Sequence, residues 1–135
     1  MFKQADSYLR LIDGKGCVFV CEQGNKLIGI AALASGVDAA ELLNLVVATA
    51  MRRNGCALAL LRRACAWAQD REQTRMLLEI RAGNSSARLL YKKFGFETDG
   101  VRAKYYLDAA SGLREDAILM SKELASELGN VDTHT

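Results

Sequence analysis

An apolar stretch, a basic glycine-bearing turn and an apolar helical run follow one another within "ELLNLVV" and "MRRNGCALALL", residues 41–47 and 51–61. A strand that feeds through a turn straight into a helix belongs to α/β architecture, and the helix start presents several main-chain N–H groups at one point. Such a point is suited to holding phosphate. Gly55 is free to take a tight or left-handed turn and puts no side chain between main chain and ligand. The N–H groups of Arg53, Asn54, Gly55, Cys56, Ala57 and Leu58 then point at a diphosphate, the helix dipole adds to the attraction, and Arg52 and Arg53 supply charge. An exposed turn also carries Arg and Gly for structural reasons alone, so both readings stand at this point. No "GKS" or "GKT" follows, and no GxGxxG is present, which sets aside the nucleotide-hydrolase loop and the dinucleotide fingerprint.

At 135 residues, half of them apolar, the chain is expected to form one domain over residues 1–135, with 125–135 a frayed tail. It has no run of eighteen apolar residues and no signal-peptide pattern, so the expected location is the cytoplasm, with no membrane partner. Basic side chains exceed acidic ones by 18 to 16, with no basic stripe of the kind nucleic acid requires. Cys17, Cys21, Cys56 and Cys65 lack metal-ligand spacing and the single histidine is His134. The cysteines read as small buried hydrophobes, and no metal is expected.

Apolar spacing at Phe2, Ala5, Leu9 and Ile12 predicts a helix over residues 2–12. "CVFVCE" and "KLIGIAALA" predict two strands around the turn "QGN", and "ELLNLVV" a third, apolar enough to be buried on both faces. A helix over 53–69 follows, its inward face formed by Leu58, Leu61, Cys65 and Ala68. "MLLEIR" is a strand, "NSSARLLYKKFG" a short helix capped by Asn84 or Ser85 and ended by Gly95, and "FETDGVRAKYYL" and "AILMSK" the last two strands. The order is that of an α/β sandwich around a mixed sheet. A first strand is missing from the short N-terminus, which leaves one sheet edge open to a second copy of the chain or another partner.

Alternation within "MLLEIR" puts Leu77, Glu79 and Arg81 on one face. Glu79 thus lies where packed core gives way to polar surroundings, a place for a proton-accepting carboxylate; pairing with Arg81 would oppose that role. Tyr91 on the short helix is either a half-buried aromatic with its hydroxyl in solvent or a neutral proton donor. Asn84 is an N-cap, a ligand contact, or both.

With these residues in place the chain resembles the GNAT acetyltransferase family. "RRNGCA" fits the family's pyrophosphate signature at Arg52, Gly55 and Ala57, and "LEIRAGNSSARLLYKKFGF", "GVRAKYY" and "EDAILM" follow in family order. The tyrosine pair before "EDAILM" points to a bacterial subgroup that acetylates the N-terminal alanine of a ribosomal protein. The resemblance implies a three-layer GNAT sandwich with a central mixed, mostly antiparallel sheet and a shortened N-terminal strand region. It implies acetyl-coenzyme A as cosubstrate, Glu79 as general base, Tyr91 as general acid, Asn84 as a cofactor contact, and Val46 and Val47 as the backbone beside the thioester. Where members often show "VDP" before the turn, this chain has "VAT".

The expected reaction is direct transfer of acetyl to the α-amine of a protein or peptide in a ternary complex. A small amine is the rival acceptor, and a non-catalytic acyl-coenzyme A-binding module the reading outside enzymology. A covalent route through Cys56 would need its thiol acidified by the helix start and a base that the turn does not offer. Tyr105 and Tyr106 either pack or line the acceptor groove, at most one of the two facing it. Glu115 and Asp116 are either loop charge or an attraction for a basic peptide.

Overall fold

Alternating burial of Cys17, Phe19 and Cys21 against their half-exposed neighbours gives the second strand one packed face, and the rest of the first unit is built on that face. The structure, a computed structural model, describes residues 3–10, 16–48 and 55–124, and for 3–10 the main chain alone. Its elements are β1 (Lys3–Arg10), β2 (Gly16–Gln23), β3 (Lys26–Ser35), β4 (Ala39–Val47), α1 (Cys56–Asp70), β5 (Arg75–Arg81), α2 (Ser85–Phe94), β6 (Glu97–Leu107) and β7 (Arg114–Glu123). They form two compact units, one running to Met76 and taking back the chain from Leu124, the other Leu77–Glu123. The expected α/β class with a mixed, mostly antiparallel sheet is what the elements form.

In the first unit β1, β2, β3 and β4 run as an antiparallel meander. The helix expected over residues 2–12 is instead β1, so the edge of β2 thought to be open is covered. A helix of that length is marginal by itself, whereas pairing Gln4 with Cys21 and Leu9 with Val18 satisfies main-chain groups that β2 would otherwise leave unpaired.

β4 corrects a second expectation. Its register against β3 passes from Leu33 opposite Leu42 to Ala32 opposite Asn44, leaving Leu43 as an extra, bulged residue. Ala40 and Leu42 are buried before the bulge, while Leu43 and Val46 are about half exposed. The strand is therefore buried on one face at a time, and the bulge exchanges the faces.

α1 packs on β2, β3 and β4 through Cys56, Leu60, Leu61, Ala64, Cys65 and Ala68. Leu60 and Ala64 take the place expected of Leu58, which is only partly covered. All four cysteines are buried as free thiols. A buried polar residue ties the ends of this unit: Gly36 N–H donates to Gln73 Oε1 at 3.0 Å and Gln73 Nε2 donates to Val37 O at 3.3 Å. Thr74 donates to Asp38 O through both its N–H and its hydroxyl.

In the second unit β7 lies between β5 and β6, and its Ala117, Ile118 and Met120 are buried. α2 is capped as expected: Asn84 Oδ1 accepts from Ala87 N–H at 3.2 Å, and Gly95 closes the helix at φ 113°. Among the described residues no helix is long and apolar enough to cross a membrane.

Gly29 on β3 sets how closely α1 approaches the sheet. A Cβ there would stand 2.6 Å from Cys56 Sγ, 3.0 Å from Leu60 Cδ1 and 3.3 Å from Val46 O. Gly29→Ala is expected to destabilise the fold by about 1–3 kcal/mol, read as a lower denaturation midpoint. An unchanged midpoint would show that the first turn of α1 is not held against β3.

Candidate active site

The first unit contributes the turn that opens α1. Gly55 stands in the left-handed region at φ 82°, ψ −4°, as the N-cap of α1, and no side chain caps the helix. Ala59 N–H closes the first intrahelical bond on Gly55 O at 3.0 Å, so the N–H groups of Cys56, Ala57 and Leu58 precede the ladder. The first turn carries no acidic residue. Among the described residues, neither a capping side chain nor a first-turn carboxylate offsets the positive end of the helix. Arg52, Arg53 and Asn54, expected to complete the turn, lie outside the described residues.

Val46 and Val47 end β4. Ala48 N–H donates to Ile28 O at 2.8 Å in the same register that sets Val46 opposite Ile30. Antiparallel alternation therefore turns the Val46 N–H toward β3 and the Val47 N–H away from it. Of the two, Val47 keeps a donor that β3 does not use.

Cys56 behaves otherwise than its place at a helix start suggests. It is 1% exposed, and burial, with the hydrogen bond and charge of Cys21 after it, pushes its thiol up to about 12. A thiol so protonated and enclosed is a packing group and not a nucleophile.

The second unit holds the carboxylate. Met76 and Leu78 are buried while Leu77 is exposed, which confirms the alternation that sets Glu79 on the less packed face of β5. Tyr106 Oη donates to Glu79 Oε2 at 2.9 Å, and Arg102 Nη1 stands 3.6 Å from Glu79 Oε1. The cation paired with Glu79 is therefore Arg102, while Arg81 pairs with Glu115 at 3.4 Å and lies over the Tyr106 ring at 4.6 Å. Burial first, then the hydrogen bond to Glu79 and its charge, hold the Tyr106 hydroxyl above the usual tyrosine range.

A distortion of β6 underlies this cluster. Arg102 pairs with Ala117 and Tyr106 with Glu115, so four steps along β6 match two along β7. Lys104, within the bulge, has φ 51°, and its N–H donates to Asp116 Oδ1 at 2.8 Å. A non-glycine residue in that region costs about 1–2 kcal/mol, which the charge-assisted bond helps to offset. Glu115 and Asp116 thus have partners within the fold. Tyr105 is half exposed and meets Tyr106 edge to face at 5.1 Å. Neither Arg102 nor the bulge was legible in "GVRAKYY", where regular alternation would give Arg102, Lys104 and Tyr106 one face.

Tyr91 is 6% exposed and edge-on to Phe96 at 5.6 Å, so its hydroxyl does not open freely to solvent. Burial pushes it up to about 12, and it stays protonated across the neutral range. Asn84 spends Oδ1 on the helix cap, and its amide nitrogen takes no part in it. Among the described residues no cluster of His, Cys, Asp and Glu could hold a metal ion.

Fold and site place the chain among the α/β acetyltransferase folds. It belongs to the GNAT family: the family model described as Acetyltransferase (GNAT) family matches residues 2–96. It is 33% identical over 103 residues to the ribosomal protein bS18-alanine N-acetyltransferase of Escherichia coli K12, across 76% of this chain and 68% of that protein. A Bacillus subtilis relative is 32% identical over 101 residues, across 75% of this chain, and the chain spans only 64% of that relative's length. The crystal structure of the ribosomal-protein-S18-alanine N-acetyltransferase from Escherichia coli superposes with a TM-score of 0.72 at 31% identity, covering 92% of this chain and 75% of that one. Nourseothricin acetyltransferase gives a TM-score of 0.76 at 27% identity, covering 83% and 67%.

The raised Tyr91 hydroxyl has a consequence for stability. Its folded value, about 12, lies above the unfolded value of 10, so its contribution is fully present below pH 10 and is lost as pH rises through about 12. Between those limits the parent is expected to lose more stability than Tyr91→Phe, measured as denaturant midpoints at mildly and strongly alkaline pH. Parallel loss in both chains would contradict the burial of this hydroxyl.

Proposed function

We propose that the chain is an acetyl-coenzyme A-dependent N-acetyltransferase whose acceptor is the α-amine of a protein or peptide, attacked directly in a ternary complex. The observation that carries this reading is Glu79, a carboxylate held on Tyr106 at 2.9 Å in the same unit as the protonated Tyr91. Relatives named for acetylating the bS18 alanine support the acceptor class, and relatives with acetyl-coenzyme A bound share the fold.

The left-handed Gly55 and the bare first turn of α1 fit a diphosphate: donors converge, no Cβ intrudes and no carboxylate repels. Arg52, Arg53, Asn54, Gly55, Cys56, Ala57 and Leu58 would hold it, through N–H groups and charge, and Asn84 would add an amide contact. The bound cosubstrate supplies an acetyl thioester with a thiol leaving group. Val47 donates its N–H to the acetyl oxygen as negative charge develops there. Glu79 takes the proton that the attacking amine must lose, and Tyr91 gives its proton to the departing sulfur. Solvent then restores both, so the net transfer is one acetyl to nitrogen and one proton to sulfur. An α-amine, with a reference pKa near 8 against about 10.4 for lysine, costs roughly 3 kcal/mol less to deprotonate at neutral pH, which favours a chain terminus.

A small-amine acceptor is the second reading, supported by the likeness to Nourseothricin acetyltransferase. Coenzyme A release is measured with free-terminus peptides, the same peptides blocked, and small amines. Turnover on free termini alone is expected, with kcat about a hundredfold lower or less in Glu79→Gln. Turnover on small amines alone would move the acceptor, and binding of acetyl-coenzyme A without turnover on any of them would make the chain a module.

A further inference from the structure

Arg102 and Tyr106 are four residues apart, which along a regular strand is roughly 13 Å, too far for both to meet one carboxylate squarely. The bulge shortens that span to the two steps from Ala117 to Glu115, roughly 7 Å. With Lys104 turned left-handed and its N–H pinned by Asp116, Tyr106 and Arg102 come to opposite oxygens of Glu79. The Arg102 guanidinium is itself held, lying 4.8 Å from the centre of the Tyr105 ring.

We propose that Arg102 is a positioning residue for Glu79: held on Tyr105, it grips one carboxylate oxygen while Tyr106 grips the other, and the β6 bulge brings both to it. The inference rests on the reading of Glu79 as proton acceptor. The Arg102 side chain is 50% exposed, and an ion pair so open to water adds little to folding. Its effect is on direction. A glutamate carboxylate on a strand otherwise swings about three side-chain torsions, and fixing both oxygens leaves it aimed in one orientation. Arg81 does not compete for the role, since Glu115 and the Tyr106 ring engage it.

The test compares Arg102→Ala and Arg102→Lys with the parent, alone and in the Glu79→Gln background. Arg102→Ala is expected to keep its denaturation midpoint and its KM for acetyl-coenzyme A while kcat falls about tenfold or more. Added guanidinium ion, far below denaturing concentration, and the lysine variant should each restore part of the loss. In the Glu79→Gln background Arg102→Ala should cost nothing further, because Arg102 acts through Glu79. Parental kcat in Arg102→Ala, or an equal loss in both backgrounds, overturns the role of Arg102 while leaving Glu79 as acceptor. Parental kcat in Glu79→Gln overturns the acceptor reading and the inference with it. Independently of turnover, a crystal structure of Arg102→Ala should show the Glu79 carboxylate rotated from its parental orientation or spread over several, and a single unmoved carboxylate overturns the positioning.

Discussion

The first turn of α1 lies where it does because Gly29 has no side chain. Cys56 Sγ and Leu60 occupy the space a Cβ would need, and Val46 O borders the same gap. This one close approach joins the helix start to the end of β4, so that the open N–H groups after Gly55 and the outward N–H of Val47 belong to one packed body. It also seals Cys56 inside, which removes the most reactive-looking side chain of the turn from chemistry and leaves the turn to its main chain. A cradle made of backbone donors needs such rigidity, because its attraction for phosphate depends on several N–H groups keeping a common aim.

The second unit solves a different problem by a different device. Glu79 on β5 has a polar neighbourhood made almost wholly by β6, and β6 reaches it only by leaving regular geometry at Lys104. The same bulge separates the roles of the adjacent tyrosines, one bonded to the carboxylate and one half exposed beneath Arg102. Strain in the main chain is thus exchanged for convergence of side chains, with Asp116 as the clamp.

Much of this was readable beforehand where local physics decides. The strand "MLLEIR" alternates as written, Asn84 caps α2 and Gly95 ends it, because capping and pleat act over a few residues. β1 was misread as a helix because its partner, β2, decides its conformation and weak apolar spacing does not. The bulges at Leu43 and Lys104 were invisible for a related reason. A bulge is defined by register against a neighbour, and no single stretch encodes it. The place of Glu79 on the less packed face of β5 was readable, but its partner was sought at Arg81, two places along the same strand, when strand partners come from across the sheet.

In the proposed function the main chain opening α1 holds the diphosphate of acetyl-coenzyme A. Calorimetric titration of acetyl-coenzyme A into the parent and into Gly55→Ala tests it most directly. A Cβ at Gly55, with φ 82°, disfavours the turn by about 1–2 kcal/mol, so binding at one site in the parent should weaken roughly tenfold in the variant at an unchanged fold. Equal affinity in both chains, or none in either, would contradict the account.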